Sequence, residues 1–208
     1  MDFIVFYKMK IKLWTIQNQQ KLDELEEKGY LISTTNHNSP EWEEEYKWMA
    51  KQMIINIGEP KKEEKYPIWS WYQHHDSNHR RPDLRRIAHL SRGTKGIRIE
   101  FLKDKKDVLL SDFELWHFPL CYKGYIGKNE KDSDRFEHLL KKQNLELELF
   151  EKLPIALKEE IEQSWQRVFD LNFNDKYQTS AFEENMIQAC CWRINKEEII
   201  KIDKFIAR

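Results

Sequence analysis

Cysteine, glycine and long apolar runs are scarce in this chain, and each scarcity excludes a class of protein. The three cysteines, Cys121, Cys190 and Cys191, are too few and too irregularly spaced for a disulfide scaffold or a zinc site, so a reducing cytoplasm is the expected compartment. The six glycines form neither GxGxxG nor GxxxxGKS/T, and HExxH, paired CxxC and GxSxG are missing as well, so neither P-loop hydrolysis nor zinc catalysis is expected. No apolar run approaches the ~20 residues that span a bilayer, which argues against a membrane partner. An excess of one charge is also lacking: 35 Lys and Arg stand against 36 Asp and Glu, for a formal net charge of −1. The whole surface therefore does not attract polyanions, and any nucleic-acid contact must come from a local basic groove.

The 208 residues are 40 % apolar and 34 % charged, a balance that supports one packed core under a charged surface. Aromatic residues reach 13 %, with eight Trp, eight Tyr and eleven Phe. Rings in that number either complete a modest core or form a surface that binds bases, sugars or proteins. Residues 1–8 have no charged start, no sufficient apolar segment and no small-residue cleavage site, so they do not read as a signal peptide. They are expected to be an extension or an edge strand, and Met9, just before a better-formed strand, is a second candidate start.

From residue 9 onward the pattern reads as a single α+β domain with a mixed, mostly antiparallel sheet flanked by helices. Ile11–Gln17 alternates as a half-buried strand. Asn18 is expected to cap a helix with Leu22 and Leu25 on one face, ended by Gly29. A second helix follows, with Ser39 as cap and Pro40 at its first position. Trp42, Tyr46, Met49, Ala50, Met53, Ile54 and Ile57 form its apolar stripe, and Gly58 and Pro60 stop it. After a charged loop, Lys61–Lys65, the run Tyr66–Gln73 reads as a strand, with Ile68, Ser70 and Tyr72 facing one way and Trp69, Trp71 and Gln73 the other. Further strands are expected at Ile97–Phe101, Val108–Leu110, Trp116–Tyr122 and Met186–Ile194, with a last short element over Ile199–Phe205. Helices are expected from Ser133 to Lys142, with Phe136, Leu139 and Leu140 on one side, and from Pro154 through Phe169.

Three places carry candidate chemistry. Residues 74–92 hold Arg80, Arg81, Arg85, Arg86 and Arg92, whose guanidinium forks match phosphate oxygens. Trp69, Trp71 and Tyr72 lie next to them in sequence and offer stacking surfaces, the combination that a nucleotide or single-stranded nucleic acid needs. His74, His75 and His79 cluster with Asp76 and Asp83, but a polar loop of this kind is ordinarily solvated and no metal is expected. Glu183 and Glu184 precede the late strand, and Gln188 lies inside it, where its amide either bonds within the core or reads a ligand. Cys190 and Cys191 point to opposite faces and cannot share a metal.

Lys12–Gln17, Tyr66–Gln73, Pro82–Arg85, Leu110–Phe113, Leu115–His117 and Ile187–Ala189, in that order, resemble an uncharacterised bacterial family, domain of unknown function 3841, from about Met9 to Arg208. The resemblance implies a small cytoplasmic bacterial protein and no activity. A more distant resemblance is to ADP-ribosyltransferases of the DNA-modifying toxin and RNA phosphotransferase type, in the opening strand and helix through Gly29 and in the placing of a ligand residue on a middle strand and a carboxylate at a late one. That resemblance implies an NAD cofactor held by Thr15, Gln17, Ser70, Tyr72 and Arg85, with Glu184 and Gln188 as catalytic residues in one hollow. Gln188 departs from the glutamate expected there, because an amide cannot stabilise an oxocarbenium ion as a carboxylate does. The alternatives are a nonenzymatic nucleotide or single-stranded nucleic-acid binding module, or an interaction protein of a defence or toxin system. Nothing in the pattern speaks to oligomeric state.

Overall fold

The computed structural model describes residues 9–34, 42–74, 78–86, 89–146, 148–181 and 183–208. The expected edge strand over residues 1–8 and the Ser39 cap with Pro40 lie outside the described residues. Alternation of apolar and polar residues makes β1 (Lys10–Asn18), β3 (Ile68–Gln73), β4 (Lys95–Asp104), β5 (Leu109–Asp112), β6 (Ile187–Cys191) and β8 (Ile199–Ile206). They form one sheet in the order β5-β6-β3-β1-β4-β8. Every ladder is antiparallel. The short strands β2 (Tyr30–Ile32) and β7 (Arg193–Asn195) pair separately.

Register assigns the faces. Trp14 stands opposite Trp71, Trp71 opposite Gln188 and Gln188 opposite Ser111, so these four share one face. On that face, two residues along, Trp69, Cys190 and Leu109 pack into a core with Met49 and Met53 of α2 (Glu43–Ile57), Leu115 and Trp116 of α3 (Phe113–His117), and Leu157 and Ile161 of α5 (Ile155–Ser164). Phe136 of α4 (Glu130–Lys142) completes it. The opposite face carries Leu13, Ile99, Phe101, Ala189 and Cys191, closed by Leu25 of α1 (Lys21–Lys28) and by Leu31 and Ile194 of the small sheet. The adjacent cysteines thus feed two separate cores, as the strand period requires. Full burial of rings and branched chains such as Phe101 and Ile99 contributes roughly 1.5–3 kcal/mol each.

Several elements differ from the sequence expectation. Trp116–Tyr122 is helical, with α3 running into a π-helical turn over Phe118–Tyr122. The Asp112 carboxylate accepts the Leu115 N–H at 2.9 Å and starts that helix. Its apolar run is too short for period alone to separate strand from buried helix. Asn18 closes a turn onto the Gln20 N–H, and the helix begins at Lys21 with Gln20 at the cap position. Asn129, one turn before Ser133, caps α4 by accepting the Asp132 N–H. The run Met186–Ile194 is divided at Trp192 between the two sheets, and a bulge between Trp71 and Gln73 interrupts the alternation of β3. The opening strand does not adjoin the late one, because β3 lies between them.

Candidate functional site

The described parts of the basic stretch, residues 78–86 and 89–92, form neither helix nor strand and are pinned at several points. His79 Nδ1 donates to the Tyr72 carbonyl and His89 Nε2 to the Asp83 carbonyl, each at 2.9 Å, the only direction open to a carbonyl partner. Arg98, on β4 between Ile97 and Ile99, is only 6 % exposed. One of its terminal nitrogens donates to the Pro82 carbonyl and the other to Asp203. A buried guanidinium thereby ties the segment to β8. Lys201, at 2.8 Å, and Arg98 hold the Asp203 carboxyl below its ordinary range.

Between this segment and the sheet lies a cleft of about 730 Å³ lined by Arg80, Arg81, Arg85, Arg86 and Arg98, with His74 at its wall. Among the described residues Asp83 is the one carboxylate in the lining. It takes the Arg85 fork through Nε at 2.9 and 3.0 Å and Nη2 at 2.7 Å. That guanidinium holds the Asp83 carboxyl far below the usual carboxylate range. Arg81 is more than half exposed and only grazes Asp203 at 4.0 Å, and Arg86 is exposed. Five arginines against Asp83 and Asp203 leave an excess of positive charge that raises the local concentration of anions, and the guanidinium fork selects planar or tetrahedral oxyanions. The Arg98 Nε is buried with no hydrogen-bond partner.

Rings continue from the cleft wall. His74 lies 4.7 Å from Trp71 and 6.0 Å from His89 between centroids. Trp71 lies 5.2 Å from Phe113, and Phe113 lies 4.7 Å from His117. Trp71, Phe113 and His117 are half-buried, so each packs on its neighbours and still meets solvent. Trp69 instead belongs to the core, 5.2 Å from Trp116.

The residues assigned to NAD and catalysis do not gather in one hollow. Thr15 is fully buried and donates to the Trp69 carbonyl at 2.8 Å, and Gln17 Nε2 donates to Thr15 Oγ1 at 2.7 Å. Ser70 is buried on the same sheet face as Thr15, opposite Ala189 of the second core. Gln188 points from the other face. Tyr72 is covered by His79, 4.4 Å away between centroids, and packs against the second core. Glu184 is exposed in a turn closed by its N–H on the Ala181 carbonyl. Of that set only Arg85 lines the cleft, so the set does not fit NAD and no reaction step follows from it. Among the described residues no group of three His, Cys, Asp or Glu could hold a metal ion. His75 and Asp76 of the histidine cluster lie outside the described residues.

Two polar centres escaped the sequence reading. Arg98 was signalled only by a lone cation at a polar position of a strongly apolar strand. Asp112, 1 % exposed, accepts from Leu115 N–H, from Thr179 Oγ1 at 2.5 Å and from Asn185 Nδ2. That buried joint ties Thr179 and Asn185 to the end of β5, and no sequence spacing announces it.

Among the described residues no helix is long and apolar enough to cross a membrane. No curated protein and no solved structure matches the chain. A family model matches residues 12–200, which leaves out the first two residues of β1 and the last six of β8, and by that match the chain belongs to the family described as Domain of unknown function (DUF3841).

Proposed function

We propose that this protein is a binding module for phosphate groups carried by a nucleotide or a nucleic acid, held in the arginine cleft. The observation that carries the reading is the convergence of Arg80, Arg81, Arg85 and Arg86 over a buried Arg98 around one concavity, five cations against the carboxylates of Asp83 and Asp203. The Asp83 carboxylate already occupies the Arg85 fork and shows which oxyanion geometry the fork accepts. Phosphate, with more oxygens and more charge, makes stronger charge-assisted bonds there. NAD, which the resemblance to ADP-ribosyltransferases makes an expected ligand, carries two phosphates and enters the same test. Calorimetric and thermal-shift titration with tripolyphosphate supplies that test. Binding that weakens as salt rises, and that is lost in the Arg81→Gln/Arg86→Gln double variant, supports the reading. Absence of heat and of a Tm shift at millimolar tripolyphosphate in low salt refutes it.

A further inference from the structure

The ring shelf beside the cleft narrows the ligand class. We infer that the bound molecule is a single nucleotide, with its phosphates in the arginine cleft and its base on the accessible part of Trp71; this rests on the phosphate reading above. His74 belongs to both subsites, since it lines the cleft and lies 4.7 Å from Trp71 between ring centroids. Phe113, 5.2 Å from Trp71, bounds the shelf on its other side. Base stacking on such a ring is favourable for every base, because each has a π-face.

Gln188 is the residue placed to read the base edge. It stands directly across the ladder from Trp71, is itself half-buried, and its Oε1 is buried with no hydrogen-bond partner. Ser111, across the next ladder, holds its Oγ in the same condition. The last torsion of the glutamine side chain is soft, so this amide can present either its oxygen or its nitrogen to a base seated on Trp71. An acceptor without a partner in the folded protein gains most from such a bond.

Charge restricts the ligand to one base. Glu114 is exposed next to Phe113, and Glu183 and Glu184 are exposed on the segment bound to the start of α3 by the Phe113 N–H on the Met186 carbonyl at 2.9 Å. A polynucleotide running on past Phe113 brings its phosphates to these carboxylates, whereas a mononucleotide ends before them. The cleft volume of about 730 Å³ lies within the ~300–1,000 Å³ of small-ligand sites.

The experiment compares tripolyphosphate, ATP, CTP, NAD and a single-stranded oligothymidylate by calorimetry on the full chain. The expected result is that a nucleoside triphosphate binds at least about tenfold more tightly than tripolyphosphate, and that Trp71→Leu removes this advantage while tripolyphosphate binding persists. Should Trp71→Leu not fold, Phe113→Ala takes its place, and the comparison of ligands on the unaltered protein decides by itself. Equal affinity for tripolyphosphate and nucleotides overturns the base subsite and leaves the phosphate cleft standing. Affinity that rises with oligonucleotide length above that for ATP overturns the single-nucleotide inference in favour of a nucleic-acid strand. No binding of any of the five overturns the phosphate reading itself.

Discussion

Replacing Asp112 by alanine removes the one acceptor on which three buried donors converge. The Leu115 N–H loses its cap, worth about 1 kcal/mol, and the Thr179 hydroxyl and the Asn185 amide lose a charged acceptor, at about 1–3 kcal/mol for each buried group left unpaired. Because the side chain is 1 % exposed, water does not replace the lost bonds without opening the joint. Allowing for relaxation, Asp112→Ala is expected to cost about 3–5 kcal/mol, a large share of a typical domain stability of ~5–15 kcal/mol. Urea unfolding followed by circular dichroism and tryptophan fluorescence measures it, with an unchanged m-value showing that the unfolded state is unaffected. Thr179→Val, which removes one donor at 2.5 Å, is expected to cost about 1–2 kcal/mol. In the Asp112→Ala/Asn185→Ala cycle the losses are expected to fall short of additivity by about 1–2 kcal/mol. A cost below about 1 kcal/mol for Asp112→Ala, or strict additivity in the cycle, refutes the reading of this cluster as the joint that holds Thr179 and Asn185.

Burial raises the Asp132 carboxyl, but the Lys128 N–H, the Tyr125 hydroxyl and Arg135 outweigh it and hold the group at about 2. With the folded value depressed, the stabilisation is complete above the ordinary carboxylate pKa near ~4 and is lost as pH falls through about 2, at most roughly 2 kcal/mol; Asp132→Asn is expected to flatten the acid limb of a Tm-against-pH profile in that window. Cys121 is exposed, whereas burial pushes Cys191 up to about 12 and Cys190 well above its ordinary value, so a thiol reagent is expected to modify one cysteine rapidly in the native protein and all three only on unfolding. Three equal rates would count against the two-core assignment of the late strand. A Cβ added at Gly127 meets the Ser133 backbone nitrogen at 2.8 Å, and backbone cannot move aside cheaply, so Gly127→Ala is expected to cost about 1–3 kcal/mol by thermal unfolding. Gly124→Ala, whose nearest neighbour is a Phe118 ring atom at 3.2 Å, is expected to cost less.

Much of the local architecture could be read from residue order. The alternation of Ile11–Gln17 appears as β1, the stripe Met49, Met53, Ile54 packs into the first core, and Gly29, at φ 75°, ends α1 by donating its N–H to the Leu25 carbonyl. The opposite burial of Cys190 and Cys191 follows from the strand period of two. The basic stretch was visible as a candidate phosphate clamp, and the cleft draws four of its five arginines together. The NAD set failed as a group for the same periodic reason: Thr15 and Ser70 alternate onto one face and Gln188 onto the other, and β3 separates the first strand from the late one.

Periodicity, caps and breakers act over a few residues, so the amino-acid order alone determined which segments become strands and helices and which of their sides are apolar. Which strands become neighbours, and therefore that Arg98 reaches under Pro82 and that Asp112 meets Asn185, depends on closing loops of many residues around two competing cores. Only packing in three dimensions decides that, because the free energy of burying a face is nearly indifferent to which apolar surface covers it, while hydrogen bonds and charges at specific distances select one arrangement.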